Sequence, residues 1–459
     1  MRETLFVISD LHLGGDDKYA ICTGPGQALL ADFLHWVAGQ QSPTNDVHLV
    51  VNGDSVDFLA ESEFLAFTGH DKSATTKLET IFERTRAIWK AMAAVVASGA
   101  QVTFTLGNHD LELSLPGPRR LLQQTLGRGR FEFLYDNQAL AIGDVLIEHG
   151  NRYDRWNAVN HDSLRRARVQ ASLGHRIDPV EAPPGSRLVV DVMNGLKDRY
   201  SFVNLLKPET EAAVPLLAVL DPTVFENIPD IARLAAQATE SRRDTEAISA
   251  AGLESVPGMH KSDARALDVA RQLAFGDTEA VSFGALRDFL SGWQAQAAEW
   301  YRAQQIDKLY KAFRYWLGAQ FSAFDTGQEA KEYHDAAVDS ARAGYRVVLY
   351  GHTHLAKRIS LPFGDSVYLN TGTWADLMCV PASILLNDAE AKAKQDLGVF
   401  VGDLENNRME QWVSRLPTFA RVDLENDRAQ SSDLFIYEGE GKHEHLPDGR
   451  LSRLLRGDN

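Results

Sequence analysis

The sequence predicts an α/β protein: one sheet-bearing domain, wound mainly from parallel strands and interrupted by a large helical insertion. Short apolar runs alternate with helix-spaced segments through the first third of the chain, the pattern of parallel strands joined by crossover helices. Strand-like runs then stop between about residues 151 and 343 and resume afterwards. A third observation sets the functional reading: five of the apolar runs end in aspartate, histidine or asparagine.

TLFVIS (Thr4–Ser9), DVHLVVN (Asp46–Asn52) and QVTFTL (Gln101–Leu106) are continuous apolar runs, as strands buried on both faces are. Between the last two, Leu78, Ile81, Phe82, Ile88, Trp89, Met92 and Val95 recur at helical spacing over Ala74–Ser98, and Gly99 ends the helix. FEFL, QALAI and VLIEH read as a local antiparallel meander, separated by Asn137 and by Gly143-Asp144. Helical patterns then fall at Leu188–Leu205, Thr223–Ala238, Ala264–Phe275, Phe283–Leu290 and Trp293–Phe321. YRVVLY (Tyr345–Tyr350), SVYLN (Ser366–Asn370) and GVFVG (Gly398–Gly402) read as strands again. The resulting division is a core over 1–155 and 344–425, a helical insertion or cap over 156–343, and a polar, loosely ordered tail over 426–459.

Composition narrows the function. The 459 residues are 44% hydrophobic and 24% charged, ordinary for a globular protein. The opening MRETLFVISDLHLGG has no signal-peptide pattern and no apolar run spans a bilayer, so the expected location is cytoplasmic. Two cysteines, Cys22 and Cys379, exclude a disulfide framework and a cysteine-built zinc site. A net charge of −16 argues against nucleic acid as a partner, since that affinity comes from Lys and Arg neutralising phosphates. A nuclease would need a basic groove, and Arg165, Arg166 and Arg168, with Arg119 and Arg120, are the cluster available. Ile306–Phe321 carries an apolar stripe opposite Lys308, Lys311 and Arg314. It reads as a helix packed into its own domain, ahead of a membrane-surface helix.

The strand ends carry the chemistry. Asp10 and His12 follow the first run, Gly53-Asp54 the second, and Gly107-Asn108-His109-Asp110 the third; His149-Gly150 follows VLIE, and Gly351-His352-Thr353-His354 follows YRVVLY. In open α/β sheets, sites form at the carboxyl ends of strands, so these residues can converge on one crevice. Mixed imidazole and oxygen ligands suit Mn, Fe, Zn or Ni better than Ca or Mg. Seven candidate ligands, Asp10, His12, Asp54, Asn108, His149, His352 and His354, are too many for one four-coordinate ion. They suit two divalent ions sharing a carboxylate, the arrangement that serves displacement at phosphorus.

The order Asp-x-His, Gly-Asp-x-x-Asp, Gly-Asn-His-Asp, His, Gly-His-x-His resembles the calcineurin-like metallophosphoesterases. Here it stands as Asp10-Leu-His12, Gly53-Asp54-Ser-Val-Asp57, Gly107–Asp110, His149 and Gly351–His354, over roughly Met1–Arg155 and Gly344–Gly402. The resemblance implies a four-layer α/β/β/α sandwich around a dinuclear centre, Mn favoured. It implies Asp10, His12 and His354 on one metal, Asn108, His149 and His352 on the other, and Asp54 bridging. It further implies a metal-bridging hydroxide as nucleophile and His109 as general acid, with Asp110 tuning or orienting it; Asn108 and His109 also touch the phosphate. Asp57 is the weaker position and reads as a residue that orders its loop.

The loop HGNRYDRWN places Asn151, Arg152, Asp154, Arg155 and Asn157 directly after a ligand, and Arg152 and Arg155 are candidates for binding a phosphate oxygen. Asn160-His161-Asp162, Gly69-His70-Asp71, His175, His260, His443 and His445 lack a preceding strand and are not taken as ligands. The Ser/Thr protein phosphatase branch is unlike this chain, which has Phe58-Leu59 after Asp57 and Asp110 in the usual Glu position. UDP-2,3-diacylglucosamine hydrolases look similar around Asp10–Leu13 and Gly351–His354 but carry Arg where this chain has His109. Purple acid phosphatases use a Tyr ligand, which the Asp54–Asp57 block does not offer. The expected substrate is a phosphorylated small molecule or nucleotide-like phosphomonoester or phosphodiester, with the insertion setting the choice. The alternatives are a nuclease, a lipid or nucleotide pyrophosphatase, and a binding scaffold without catalysis.

Overall fold

The computed structural model describes residues 2–154, 156–197, 200–206, 325–378, 380–385 and 389–446, with residues 216, 306, 307, 309–311 and 313 between them. The three N-terminal apolar runs are strands β1 (Arg2–Ile8), β2 (Asp46–Asn52) and β3 (Gln101–Thr105), parallel and adjacent. Their continuous hydrophobicity has two destinations. In β1, Phe6 and Ile8 enter the core beneath the helices, while Leu5 and Val7 enter the core between the sheets. Burying each such side chain contributes roughly 1.5–3 kcal/mol, so both faces of β1 are strongly specified.

Helices α1 (Gly24–Ala38), α2 (Asp71–Arg84), α3 (Arg86–Ala97) and α4 (Pro116–Leu126) supply the crossovers of this first sheet. Leu30, Phe33 and Leu34 of α1 pack on it with Ile88, Met92 and Val95 of α3. The single helix expected over Ala74–Ser98 is two, broken at Thr85, where φ is −108° and ψ is 26°. The Thr85 hydroxyl donates to the Ile81 carbonyl at 2.6 Å and accepts from Trp89 Nε1 at 2.9 Å, holding the bend from within.

The meander expected from FEFL, QALAI and VLIEH is divided between two sheets. Strand β4 (Phe131–Leu134), fed by α4, pairs parallel with β3 at the edge of the first sheet. Strands β5 (Leu140–Ile142) and β6 (Val145–Ile147) form a hairpin in a second sheet. There β6 runs parallel to β7 (Val347–Tyr350), with β8 (Ala356–Ser360) and β9 (Val367–Thr371), in the order β5-β6-β7-β9-β8. The two sheets pack face to face through Leu5, Val7, Val50, Ile147, Leu349 and Leu369. Helix α5 (His161–Ser172) packs beside α4, and α6 (Lys331–Arg342) covers the second sheet through Tyr333, Ala337 and Ala341. The layers are helix, sheet, sheet, helix, as expected.

Two expectations fail in the C-terminal part. GVFVG lies inside α7 (Glu390–Glu405), whose Leu397, Phe400, Val401 and Leu404 fall on one helical face. A five-residue apolar run has no decisive period; the flanking Ala, Lys, Gln and Glu residues settle it as helix. That face packs with Phe202, Val203, Leu309 and Phe313, joining the helix to the described part of the insertion. The second failure is the tail. Residues 418–446 form β10 (Thr418–Glu425), β11 (Arg428–Gly439) and β12 (Lys442–His445), giving a seven-stranded sheet in the order β12-β11-β10-β1-β2-β3-β4. Asn426 and Asp427, with φ of 51° and 58°, make the two-residue turn between β10 and β11. The polarity that suggested a tail includes paired charges: Arg358 donates to Asp433 at 3.0 Å.

Within the insertion, the helix expected at Leu188–Leu205 begins earlier and ends earlier: an unbroken helical run covers 184–197, with a π-turn at Val189–Met193 between Pro184–Leu188 and Asn194–Lys197, and a separate short turn follows at Ser201–Asn204. The helices expected at Thr223–Ala238, Ala264–Phe275 and Phe283–Leu290 lie outside the described residues, as does most of Trp293–Phe321. Of the Ile306–Phe321 stripe, Leu309, Tyr310 and Phe313 are buried against α7 and its neighbours. Among the described residues, no helix is long and apolar enough to cross a membrane.

Candidate metal centre

The carboxyl ends of β1, β2, β3, β6 and β7 meet across the two sheets. They bring Asp10, His12 and His354 together, and beside them Asp54, His149 and His352, with one donor atom from each residue of a triad within 4.8 Å of the others. The triads adjoin: His12 Nε2 lies 3.8 Å from Asp54 Oδ2. Five of these residues, Asp10, His12, Asp54, His352 and His354, have φ between 44° and 69°. Non-glycine residues rarely adopt that left-handed conformation, and its concentration at one point marks a functional site.

Two of the glycines are there for space. A Cβ on Gly107 would sit 2.0 Å from Asp54 Oδ1, and one on Gly351 would sit 2.6 Å from Asp10 Oδ2. Both aspartates are thereby seated against backbone. Asp10 Oδ2 accepts the His352 N–H at 2.9 Å, and Asp54 Oδ1 accepts the His109 N–H at 2.8 Å. His149 donates Nδ1–H to the Asn52 carbonyl at 2.9 Å, which fixes the tautomer and turns the Nε2 lone pair into the site. The opposite oxygens and nitrogens are left over. Asp10 Oδ1, Asn108 Oδ1 and His149 Nε2 are buried and make no hydrogen bond among the described residues. Unpaired buried polar atoms are costly, and three of them on ligand-type residues fit a divalent cation. His149 Nε2 lies 3.2 Å from Asp54 Oδ2, so one ion can reach both.

Residues 4–190 match the model of the calcineurin-like phosphoesterase family. The chain carries a calcineurin-like phosphoesterase domain. No curated protein matches the chain. Asp10, His12, Asp54, Asn108 and His149 fall inside the matched span; His352 and His354 come from beyond it, returned to the centre by β7.

The electrostatics of the candidate centre favour positive charge. Burial opposes a charged His12, but Asp10, Asp57 and Asp54 outweigh it and lift its pKa to about 10. Burial likewise opposes a charged His149, and Asp54 with Asp10 raises it to about 9. Burial pushes the Asp54 carboxyl up, yet His149, His109 and His12 hold it well below the usual carboxylate range. Imidazolium protons here stand in for metal cations.

His109 is the most open group of the cluster, with a side chain 20% exposed against 1% for His12 and His149. Its ring packs edge-on against His12 at 4.7 Å. Its Nδ1 meets Asp57 Oδ1 at 3.2 Å, so Asp57, not Asp110, orients it. Asp110 turns inward. Its Oδ1 accepts the Gly107 N–H at 2.8 Å, and its Oδ2 accepts the Ser55 N–H at 2.8 Å and the Ser55 hydroxyl at 3.0 Å. Burial and Asp54 lift its pKa to about 6. Asp110 thus fastens the β2 and β3 turns together, which places Asp54 and Asn108.

Of the loop after His149, Asp154 and Asn157 join the site. Asp154 Oδ2 meets His352 Nε2 at 3.1 Å and accepts from Asn157 Nδ2 at 2.7 Å, while Asn157 Oδ1 accepts from Asn108 Nδ2 at 3.3 Å. This chain of contacts orients His352 and Asn108, and only the proximity of Asp154 and Asn157 to His149 in sequence hinted at it. Arg152 is not brought to the ligands: it pairs with Glu148 at 2.9 Å and donates to Asn137. Arg155 lies outside the described residues.

The rejected strings have structural uses. Asn160 caps α5 by accepting the Ser163 N–H at 3.0 Å, and His70 caps α2 through the Ser73 N–H at 3.3 Å. His443 packs on Trp36 and His445 on Phe435. His175 is exposed, and His260 lies outside the described residues.

Proposed function

We propose that this chain is a dinuclear metal-dependent phosphoesterase acting on phosphomonoesters or phosphodiesters of small or nucleotide-like molecules in the cytoplasm, with manganese as the favoured metal. The observation that carries this reading is the pair of adjoining triads, in which Asp10 Oδ1 and His149 Nε2 are buried without a hydrogen bond among the described residues. Asp10, His12 and His354 would hold one cation and Asn108, His149 and His352 the other, with Asp54 available to both. Two divalent cations there supply an activated water near neutral pH and charge neutralisation at phosphorus.

The remaining steps belong to the chain. Asp57 accepts Nδ1–H of His109, leaving Nε2 of this partly exposed ring to donate a proton to the departing alkoxide. The His109 N–H to Asp54 bond sets the distance between this acid and the centre. Glycine at 107 keeps the turn close enough for both contacts. The test is hydrolysis of p-nitrophenyl phosphate against bis-p-nitrophenyl phosphate after chelation and return of Mn. Metal-dependent turnover is expected, and the preferred ester assigns monoesterase or diesterase chemistry. Two bound metals with no turnover of either ester would instead favour a scaffold.

A further inference from the structure

We infer that Asp154 and Asn157 position one of the two cations, the one assigned to Asn108, His149 and His352, and that the helical run opening at Pro184 acts on that cation through Gly185. The inference deepens the phosphoesterase reading and rests on its two-cation centre. It gives the insertion a part in building the site.

The contacts run in one line from the ligands outward. Asp154 Oδ2 meets His352 Nε2 at 3.1 Å. An ionised carboxylate accepts, so Nε2–H donates and Nδ1 is left as the ring's lone-pair nitrogen. Asn157 donates Nδ2–H to the same Asp154 oxygen at 2.7 Å, which turns its Oδ1 the other way, to accept from Asn108 Nδ2 at 3.3 Å. With its nitrogen engaged, Asn108 keeps Oδ1 as the atom buried without a hydrogen bond among the described residues. One lone pair on His352 and one on Asn108 are therefore aimed by the same two side chains.

The far side of this loop is held by the insertion. Asp154 Oδ1 accepts the Trp156 N–H at 2.9 Å, and the Trp156 carbonyl accepts the Gly185 N–H at 2.7 Å. A Cβ on Gly185 would sit 2.3 Å from Asn157 Oδ1 and 3.0 Å from the Trp156 carbonyl oxygen. A side chain at 185 thus displaces the oxygen to which Asn108 donates. The helical run over 184–197 is pinned at its other end too, where Asn194 donates Nδ2–H to the Leu59 carbonyl at 2.9 Å, two residues past Asp57. It therefore fastens both the loop that aims two ligands and the loop that carries the partner of His109.

The side-chain contacts of Asp154 and Asn157 end on His352 and Asn108, so their effect falls on one cation. Asp10, on the other, is fastened by the Ser9 hydroxyl and the His352 N–H. A loop that only joined core to insertion accounts for the bond between Trp156 and Gly185. It does not account for a carboxylate and an amide turned onto two ligands.

Mn is titrated by calorimetry into the chelated full-length protein and into Asp154→Ala, Asn157→Ala and Gly185→Ala, each checked for native circular dichroism. The unaltered protein is expected to take up two cations. In each variant one of them should bind about tenfold more weakly or worse, as for other residues behind metal ligands, while the other stays within about threefold. At two equivalents of Mn, electron paramagnetic resonance should show a coupled Mn pair in the unaltered protein and isolated Mn in the variants. A merely structural loop would not move that signature. Gly185→Ala is the decisive variant, because residue 185 is not itself a candidate ligand. Equal weakening of both cations, or two affinities unchanged in any folded variant, overturns the inference. Fewer than two cations on the unaltered protein would overturn the two-cation reading with it, whereas two cations without selective loss overturn this inference alone.

Discussion

Asp54 and His109 divide the work of the centre, and their substitutions should separate. Asp54 touches both halves: its Oδ2 faces His12 and His149, and its Oδ1 holds the His109 backbone. Asp54→Asn should therefore lose metal and at least about 100-fold in turnover, since even residues behind the ligands are worth 10–100-fold. Metal analysis alongside kinetics checks this, and a fully active variant would remove Asp54 from the bridging position. The His109 ring meets Asp57 at 3.2 Å and packs on His12. His109→Ala should keep its metals and lose on the order of 10²–10⁴-fold on esters with poor leaving groups, and much less with p-nitrophenol. Equal losses across leaving groups would mean that His109 is not the acid.

At the scale of elements, the turns matter more than the strands they end. Gly107→Ala forces a Cβ to within 2.0 Å of Asp54 Oδ1, in a turn that Asp110 also pins. Overpacking of this kind costs about 1–3 kcal/mol, so a lower Tm with loss of metal is expected, read by thermal melt and metal content. Retention of both would show that the turn has room to move. The strand ends were legible in the sequence because a parallel strand buried on both faces is a continuous apolar run, and the residues after it stand out. The partner of His109 was not legible, because Asp57 and Asp110 are equally plausible neighbours until the β2 and β3 turns are docked. Asp154 and Asn157 were hidden for the same reason. The strands β11 and β12 were misread because charged residues interrupt their apolar pattern, Asp433 being paired with Arg358 of β8, and α7 because its apolar run is shorter than two turns.

For the molecule as a whole, the metal centre is also a joint. Its candidate ligands come from the N-terminal sheet and from β6 and β7 of the second sheet, and segments more than 300 residues apart meet where His12 Nε2 lies 2.9 Å from His354 Nε2. Cation binding should therefore stabilise the folded chain by mass action and raise Tm with metal concentration. His12 and His149, raised to about 10 and 9 by their aspartates, are protonated in the metal-free protein at neutral pH, so a cation must displace those protons. Proton competition strengthens as pH falls, and the rise in Tm at a fixed Mn concentration should shrink between pH 8 and pH 6. A rise that grew over that range would contradict the assignment of these histidines as ligands.

The most direct test of a two-cation centre is stoichiometry read together with turnover. Manganese is returned stepwise to the chelated full-length protein, with bound metal and p-nitrophenyl phosphate hydrolysis followed in the same samples. The account predicts saturation at two equivalents per chain, with activity appearing as the second site fills. Saturation at one equivalent with full activity, or no binding at all, would contradict it.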